Sequence, residues 1–332
     1  MAGDGEGLRD SRGRVIEYMR ISLTDACNFR CGFCVPDDDT PTCGDGGKRL
    51  CGDELLRLGR IFAALGVRHF KITGGEPFLF PDALAVMSEF GKIPGVAGVT
   101  VTTNGSSLDR HAGALAAMGV AGVNVSLNAM TEEGHERITG VRFGLGRVLD
   151  NIVTAVTAGL RVKINMVPLR GINERDIVPL LEFALTRDIP VRFIELMPLG
   201  QGKRYSGLSF AEVRRLVEAR FGSAAVTTER LGNGPATYLS LPGFAARIGC
   251  IAAVSQGFCA VCNRIRLSCG GFLRTCLHHG HGIDLFSPLR SGAGDAAIAD
   301  LVRAAVLDKP GGHRFVDGDS ESGCVPMFRI GG

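Results

Sequence analysis

Six of the eleven cysteines fall into two sets whose spacing suits metal chemistry: Cys27, Cys31 and Cys34, then Cys259, Cys262 and Cys276. In a reducing compartment, thiolates gathered at short intervals more often hold metal than form disulfides. Three is the informative number. A structural zinc site takes four nitrogen or sulfur donors, and an iron–sulfur cluster held by four cysteines is coordinatively closed. A four-iron cube held by three leaves one iron open to a small molecule. Cys27-Asn-Phe-Arg-Cys31-Gly-Phe-Cys34 reads either as such a holder or as a zinc knuckle completed by a distant residue. Cys259-Ala-Val-Cys262 with Cys276 has the same two readings, with His278, His279 or His281 as the fourth zinc ligand. Beside it, Arg264 and Arg266 put two guanidiniums on one face of a short strand. That suits a polyphosphate, the alternative being a solvated strand face. Cys43, Cys51, Cys250, Cys269 and Cys324 have no comparable spacing and read as ordinary buried or surface thiols.

Thiolates at these positions need a scaffold, and the chain supplies a repeating one. Extended runs at 15–23, 67–73, 99–103, 122–127, 161–167 and 191–196 alternate with helical runs at the spacing of βαβ units. Asp53 can cap the first helix, in which Leu55, Leu58, Phe62 and Leu65 recur at helical intervals. Further helical patterns run near 81–90, 108–118, 144–158 and 173–187. The first extended run leads into the first cysteine set, and the second into Thr73-Gly74-Gly75-Glu76-Pro77. The third gives Thr102-Thr103-Asn104-Gly105 and the fourth Ser126-Leu127-Asn128. The fifth carries Lys163 and Asn165, and the sixth ends in Glu195-Leu196-Met197-Pro198. Polar residues at the carboxyl ends of nearly every strand are what a barrel with its site on that face requires. A doubly wound sheet gathers them at one switch point. Six units fall short of eight, so the expected fold is α/β, an incomplete (β/α)6 TIM-type barrel with a wide mouth.

Past Gly200 the rhythm changes. Ser209 and Glu212 form a capping box for a helix to about Phe221. Extended pieces at 237–241 and 247–254, the second cysteine set and a helical pattern over 296–307 follow. This reads as an α+β appendage covering the barrel mouth. The expected divisions are a flexible N-terminus over 1–13, the barrel over 14–200, a C-terminal domain over 201–325 and a tail over 326–332. Asp317-Gly318-Asp319-Ser320-Glu321 lacks the ligand series of a calcium loop and reads as a solvated turn. An apolar fraction of 45% against 21% charged residues excludes a disordered chain. Lys+Arg 37 against Asp+Glu 34 gives +3, too near neutrality for nucleic acid or an anionic membrane surface. Any basic site is therefore a local pocket. Residues 1–14 lack a signal-peptide core, and the stretch 112–127 is broken by Gly119, Gly122 and Asn124, so it reads as helix then strand rather than membrane span. A cytoplasmic globular protein is expected.

The Cys-x3-Cys-x2-Cys loop resembles the signature of the radical S-adenosylmethionine superfamily. Gly74-Gly75-Glu76-Pro77, behind a strand and some 40 residues later, resembles its companion motif. Arg20-Ile-Ser-Leu-Thr-Asp25, Thr-Thr-Asn-Gly, Arg192-Phe-Ile-Glu-Leu-Met197-Pro, Phe258-Cys-x2-Cys-Asn-Arg-x-Arg and the closing Gly331-Gly332 narrow the resemblance to the GTP 3′,8-cyclase family. It covers nearly the whole chain, Tyr18 to Gly332. It implies a six-unit partial barrel capped by a C-terminal domain that carries a second 4Fe-4S cluster. The open iron of the first cluster would chelate S-adenosylmethionine, whose cleavage yields a 5′-deoxyadenosyl radical that takes hydrogen from ribose C3′ of GTP. Attack on guanine C8, one-electron reduction and protonation then give 3′,8-cyclo-7,8-dihydro-GTP, the first step of molybdenum cofactor biosynthesis.

By the same resemblance, Cys27, Cys31 and Cys34 ligate the first cluster, and Cys259, Cys262 and Cys276 the second, whose open iron faces guanine. Phe33, Gly75, Glu76, Ser126 and Met197 line the S-adenosylmethionine site. Arg20, Lys71, Thr102, Lys163, Arg192, Arg264 and Arg266 hold GTP, Arg264 and Arg266 being catalytic. Gly331 and Gly332 reach into the site, since only residues without side chains thread a narrow passage. The chain departs from the family pattern in four places. Lys71 stands for a usual arginine, trading a fork of donors for a point charge. Phe33 stands for a common tyrosine, Asn128-Ala129 for Asp-Ser, and Phe78-Leu-Phe80 for Leu-Leu-Arg. The implied partners are GTP, an electron donor such as a flavodoxin or ferredoxin, a downstream cyclic pyranopterin monophosphate synthase and a second copy in a homodimer, with no nucleic acid and no membrane. Two rivals are a radical S-adenosylmethionine enzyme that modifies peptides with an auxiliary cluster, and a non-catalytic structural metal protein. The first usually carries more cysteines and no terminal double glycine. The second leaves Gly74–Pro77 and the cations without a role.

Overall fold

The computed structural model describes residues 7–36, 47–142, 144–313, 315 and 327–330. Cys43, Cys324, Asp317–Glu321, Gly331 and Gly332 lie outside them. Strands β1 (Tyr18–Ser22), β2 (His69–Thr73), β3 (Gly98–Thr103), β4 (Gly122–Ser126), β5 (Val162–Met166) and β6 (Val191–Ile194) occupy the six anticipated runs. Helices α1 (Gly52–Ala64), α2 (Ala83–Lys92), α3 (Leu108–Ala117), α4 (Glu132–Thr139), α5 (Leu145–Thr157) and α6 (Ile177–Leu185) connect them. All but α4 follow helical patterns in the sequence. Its run Glu-Glu-Gly-His-Glu-Arg-Ile-Thr is mostly charged, and its inward side is only Gly134, His135, Ile138 and Thr139. The cap of α1 is Cys51 rather than Asp53. The Cys51 N–H donates to the Glu54 carboxylate at 2.8 Å, while Asp53 sits in the first turn, where its charge still favours the helix dipole.

Each of β1 to β6 pairs in parallel with the next. The outward residues form a near-continuous apolar face: Met19, Ile21, Phe70, Ile72, Val101, Val123, Val125, Ile164 and Phe193 are all at most 1% exposed. The helices pack on this face in one core with residues such as Leu58, Phe62, Phe90, Leu115 and Ile152. Burying each such side chain contributes roughly 2 kcal/mol. Because side chains alternate across a strand, the other face carries Tyr18, Arg20, Lys71, Thr102, Ser126, Asn165 and Arg192, all of which line one cavity. A sheet whose strands share one cavity is curled, and this one is a partial barrel.

After α7 (Phe210–Phe221), opened by the expected Ser209–Glu212 capping box, come β7 (Ala225–Thr227), β8 (Thr237–Ser240), β9 (Ile248–Ile251), β10 (Arg264–Leu267), β11 (Phe272–Arg274) and β12 (Gly282–Asp284). Helices α8 (Phe286–Arg290) and α9 (Asp295–Leu307) follow. The sheet runs β12-β11-β10-β1-β2-β3-β4-β5-β6-β9-β8-β7, twelve strands among the described residues. The C-terminal part thus continues the barrel at both edges, β10 lying parallel beside β1 and β9 parallel beside β6. The N-terminus is flexible in expectation over 1–13, but from Leu8 onward it is packed. Leu8 and Asp10 are each 4% exposed, the Leu8 N–H donates to the Leu65 carbonyl at 2.8 Å, and Arg9 bridges Val15. Among the described residues no helix is long and apolar enough to cross a membrane.

Candidate active site

Register divides the cavity into three tiers. The first triad follows the carboxyl end of β1. The second triad flanks the opposite end of the same strand, because Arg264, two residues after Cys262, pairs with Tyr18, the first residue of β1. The five residues of β1 between them span roughly 13 Å at 3.3 Å per residue. Both triads line the one cavity, of about 330 Å³.

In the first tier the cysteine loop and the Gly-Gly-Glu-Pro turn are laced together. The Gly75 N–H donates to the Thr24 carbonyl at 2.6 Å and the Glu76 N–H to the Ala26 carbonyl at 2.8 Å. A Cβ at Gly74 would collide with the Thr24 carbonyl and one at Gly75 with Ala26, so this approach requires glycine. Helix α4 holds the other side of the loop, its Thr139 and Ile138 carbonyls accepting the Arg30 and Gly32 N–H groups at 2.6 and 3.2 Å. Cys27, Cys31 and Cys34 carry no disulfide. Burial pushes the Cys27 thiol up to about 11 and Cys34 to about 12. Such thiols ionise only with a bound metal to stabilise the thiolate. Glu76 is buried and accepts the Thr103 hydroxyl at 2.7 Å and the Asn104 N–H at 2.8 Å, yet burial still lifts its carboxyl to about 7. It stands just behind the cavity wall, which Phe33, Gly75, Ser126, Asn128 and Met197 line. Among the described residues Glu195 is the one lining carboxylate. Burial raises it, but the Ser255 hydroxyl and the Ser255, Val254 and Phe210 N–H groups more than offset that and keep it ionised.

The middle tier is cationic and lies on the strands rather than at their carboxyl ends. Arg20 is in register with Lys71 on one side and Arg266 on the other. Arg192 donates to the side-chain carbonyls of Asn165, at 2.9 Å, and Asn124. Burial, and then the neighbouring cations, pull Lys71 well below the usual lysine range and depress Arg20 and Arg266. With Glu195 already saturated by donors, this tier is a ready anion site. Thr102 joins it; Lys163 does not. The Lys163 ammonium turns away to the Leu231 carbonyl, and burial lowers it to about 8.

In the third tier Cys259, Cys262 and Cys276 meet Phe258, Arg264, His278, His313 and Phe315. The Arg264 guanidinium lies 4.4 Å over the Phe258 ring, with one nitrogen 3.6 Å from the Cys262 sulfur. Burial raises the Cys262 thiol, but Arg264 and Lys309 outweigh it and hold the group at about 7. Among the described residues, no three His, Cys, Asp or Glu side chains close around a single metal ion. A four-iron cube is larger and holds its ligands further apart, so three thiols around an open cavity fit that group at both triads. Of the other cysteines, Cys250 and Cys269 are buried and Cys51 is exposed. The tail also enters: Met327 and Phe328 line the cavity, and Phe328 is 1% exposed. Tyr18 and His313 were not singled out from the sequence, and Asn104 and Phe258 were quoted there only within motifs, without a role of their own. The sequence signal for Tyr18 is the inward phase of its strand; His313 carries none.

The model of the radical SAM superfamily matches residues 21–184, and that of molybdenum cofactor synthesis C matches residues 189–315. A GTP 3′,8-cyclase of Clostridium perfringens is 35% identical over 326 residues, covering 98% of this chain and 100% of that protein. One of Pelotomaculum thermopropionicum is 38% identical over 330 residues, with the same coverage. One of Rhodopseudomonas palustris is 39% identical over 322 residues, covering 93% of this chain and 90% of that one. Among solved structures, Streptococcus suis SuiB bound to S-adenosylmethionine superposes with TM-score 0.61 at 15% identity, over 93% of this chain and 77% of that one, a likeness of fold. With full-length relatives of this identity added to two triads in one partial barrel, the chain belongs to the GTP 3′,8-cyclase family of the radical S-adenosylmethionine superfamily.

Proposed function

We propose that this protein converts GTP to (8S)-3′,8-cyclo-7,8-dihydroguanosine 5′-triphosphate, the entry step of molybdenum cofactor biosynthesis. The observation that carries the proposal is the cationic tier lying between two cysteine triads in a single cavity. Two 4Fe-4S clusters and S-adenosylmethionine are the cofactors of this reading. Bound at the first triad, cluster and S-adenosylmethionine would together supply a hydrogen-abstracting radical to the ribose. Everything else is the work of the chain. Cys27, Cys31 and Cys34 would hold the first cluster, and Cys259, Cys262 and Cys276 the second.

Glu76 and the Gly75 backbone would receive the methionyl amine, while Phe33, Ser126 and Met197 would enclose the rest of the cofactor. Arg20, Lys71, Arg192, Arg264 and Arg266 would bind the triphosphate, whose charges replace cation–cation repulsion with attraction. Thr102 would add a hydroxyl. Lys163 would join only on exchanging the Leu231 carbonyl for a phosphate. Arg264, held flat on Phe258, would orient the nucleotide against the second triad. Apolar Phe328 would close the cavity to water, and Gly331-Gly332 would complete the tail. A flavodoxin or ferredoxin as electron donor, a homodimer, a cytoplasmic location and a downstream cyclic pyranopterin monophosphate synthase belong to the same proposal, as does the division at 200/201.

Anaerobic incubation of the reconstituted protein with GTP, S-adenosylmethionine and a reductant, followed by product analysis, tests the function. A cyclised dihydro-nucleotide together with 5′-deoxyadenosine is expected. Deoxyadenosine without any change in GTP, from protein with both clusters, would overturn it.

A further inference from the structure

We infer that Lys309, seated by Arg14, is a positioning cation for the second triad, holding Cys276 against Cys262 and favouring the reduced state of the iron–sulfur group bound there. The inference rests on the reading of that triad as a cluster holder.

Lys309 lies two residues beyond α9 and is 4% exposed. Its ammonium donates to the Arg264 carbonyl at 2.8 Å and to the Thr275 carbonyl. Arg264 is two residues after Cys262, and Thr275 immediately precedes Cys276. The antiparallel ladder between β10 and β11 registers Arg266 with Arg274 and Leu267 with Leu273, and stops there. Lys309 therefore bridges the two segments where the ladder has ended, in place of the next pair of bonds.

Arg14 reaches the same place from the other end of the chain. Its guanidinium donates to the carbonyls of Cys259 at 2.8 Å, Pro310 at 2.7 Å, Gly311 at 3.2 Å and Lys309 at 3.3 Å, and pairs with the buried Asp10 carboxylate. One cation thus ties Cys259 to the 309–311 segment, and the other ties that segment to Cys262 and Cys276.

Charge gives Lys309 a second role. Among the described residues its ammonium's hydrogen-bond acceptors, the Arg264 and Thr275 carbonyls, are neutral, and a buried ammonium needs a counter-charge. The carbonyls it holds belong to the second residue after Cys262 and the residue before Cys276, so the groups that would supply that counter-charge are these two sulfurs once metal-bound, with Arg14 and Arg266 the neighbouring cations. Metal-bound thiolates become more negative when the group they hold gains an electron, and a fixed cation beside them stabilises the gain. This is how surroundings tune such sites.

The test uses Lys309→Gln, which keeps an N–H donor without charge, and Lys309→Arg, which keeps both. Each is made in the full chain and in a Cys27→Ala, Cys31→Ala, Cys34→Ala background where iron reports the second triad alone. Iron per chain and the midpoint potential by EPR-monitored titration, without nucleotide, are the readouts. The Gln variant is expected to bind iron with its potential lowered by about 59 mV, a tenfold change in the one-electron ratio. The Arg variant should restore the parent value. A Gln variant with full iron and unchanged potential would overturn the inference, as would an Arg variant as impaired as Gln. Absence of a cluster at the second triad of the parent would instead sink the functional reading, and this inference with it.

Discussion

Arg20 and Arg266 stand in register on adjacent parallel strands, the one guanidinium half-buried and the other buried, with Lys71 next in line. Guanidiniums keep their protons at neutral pH, so the repulsion persists until an anion arrives. Inorganic tripolyphosphate should therefore raise the melting temperature of the unloaded protein, by about 2.7 kcal/mol of stability at a hundred times its Kd. Equal melting curves with and without it, at low salt, would show the tier is not an anion site.

Replacing both Arg264 and Arg266 by Ala should weaken GTP binding roughly tenfold to a hundredfold, from the 1.5–3 kcal/mol of a charged hydrogen bond. Cleavage of S-adenosylmethionine should continue uncoupled from cyclisation, since the first tier is untouched. Calorimetric titration with GTP and a deoxyadenosine assay read the two effects separately; unchanged affinity would remove these residues from the nucleotide site.

Burial raises Glu76 to about 7 in the folded chain against an ordinary carboxylate near 4.5. A raised carboxyl means the folded state holds its proton longer than the unfolded one. The contribution of Glu76 to stability is then greatest below pH 4.5 and falls as pH rises toward 7, by ~3 kcal/mol over that window. Glu76→Gln should flatten this slope in the unloaded protein. Denaturation at pH 5 and pH 8 of both proteins isolates the effect; parallel curves would mean Glu76 is not protonated in the fold.

The ends of β4 and β5 are joined through Asn128, whose side-chain carbonyl accepts the Val167 N–H at 2.8 Å. Fully buried Asn173 doubles the join, donating to the Asn128 and Val167 carbonyls at 2.8 and 3.0 Å. Asn128→Ala should lose about 1 kcal/mol by removing the acceptor of the half-buried Val167 N–H, whereas Asn128→Asp retains an acceptor and should lose less. Urea denaturation ranks the two, and an Ala variant as stable as the parent would contradict the role.

The barrel was readable because its signals are local. Apolar residues on one strand phase and helical intervals such as Leu55, Leu58 and Phe62 each repeat within a few positions. Cys-x3-Cys-x2-Cys is equally compact. What escaped depends on partners far away in sequence. Nothing near Arg264 announces that it will lie beside Tyr18, and so nothing in the spacing of the second triad says that it closes the far end of the cavity. That Arg20, Lys71 and Arg192 are mid-strand residues on the inward phase is a distinction that register decides. Lys163 has the right phase but finds a loop carbonyl first. Helix α4 has too few apolar residues to show a period, although it anchors the first triad's loop.

Because β10 completes the β1 edge, the first strand made must wait for some 240 further residues before its open side is covered. The nascent chain therefore carries an unpaired edge through most of its synthesis, a standing invitation to intermolecular pairing. Metal loading inherits the same timetable: the loop after β1 can be complete early, while the other holder exists only once the two ends of the polypeptide have met.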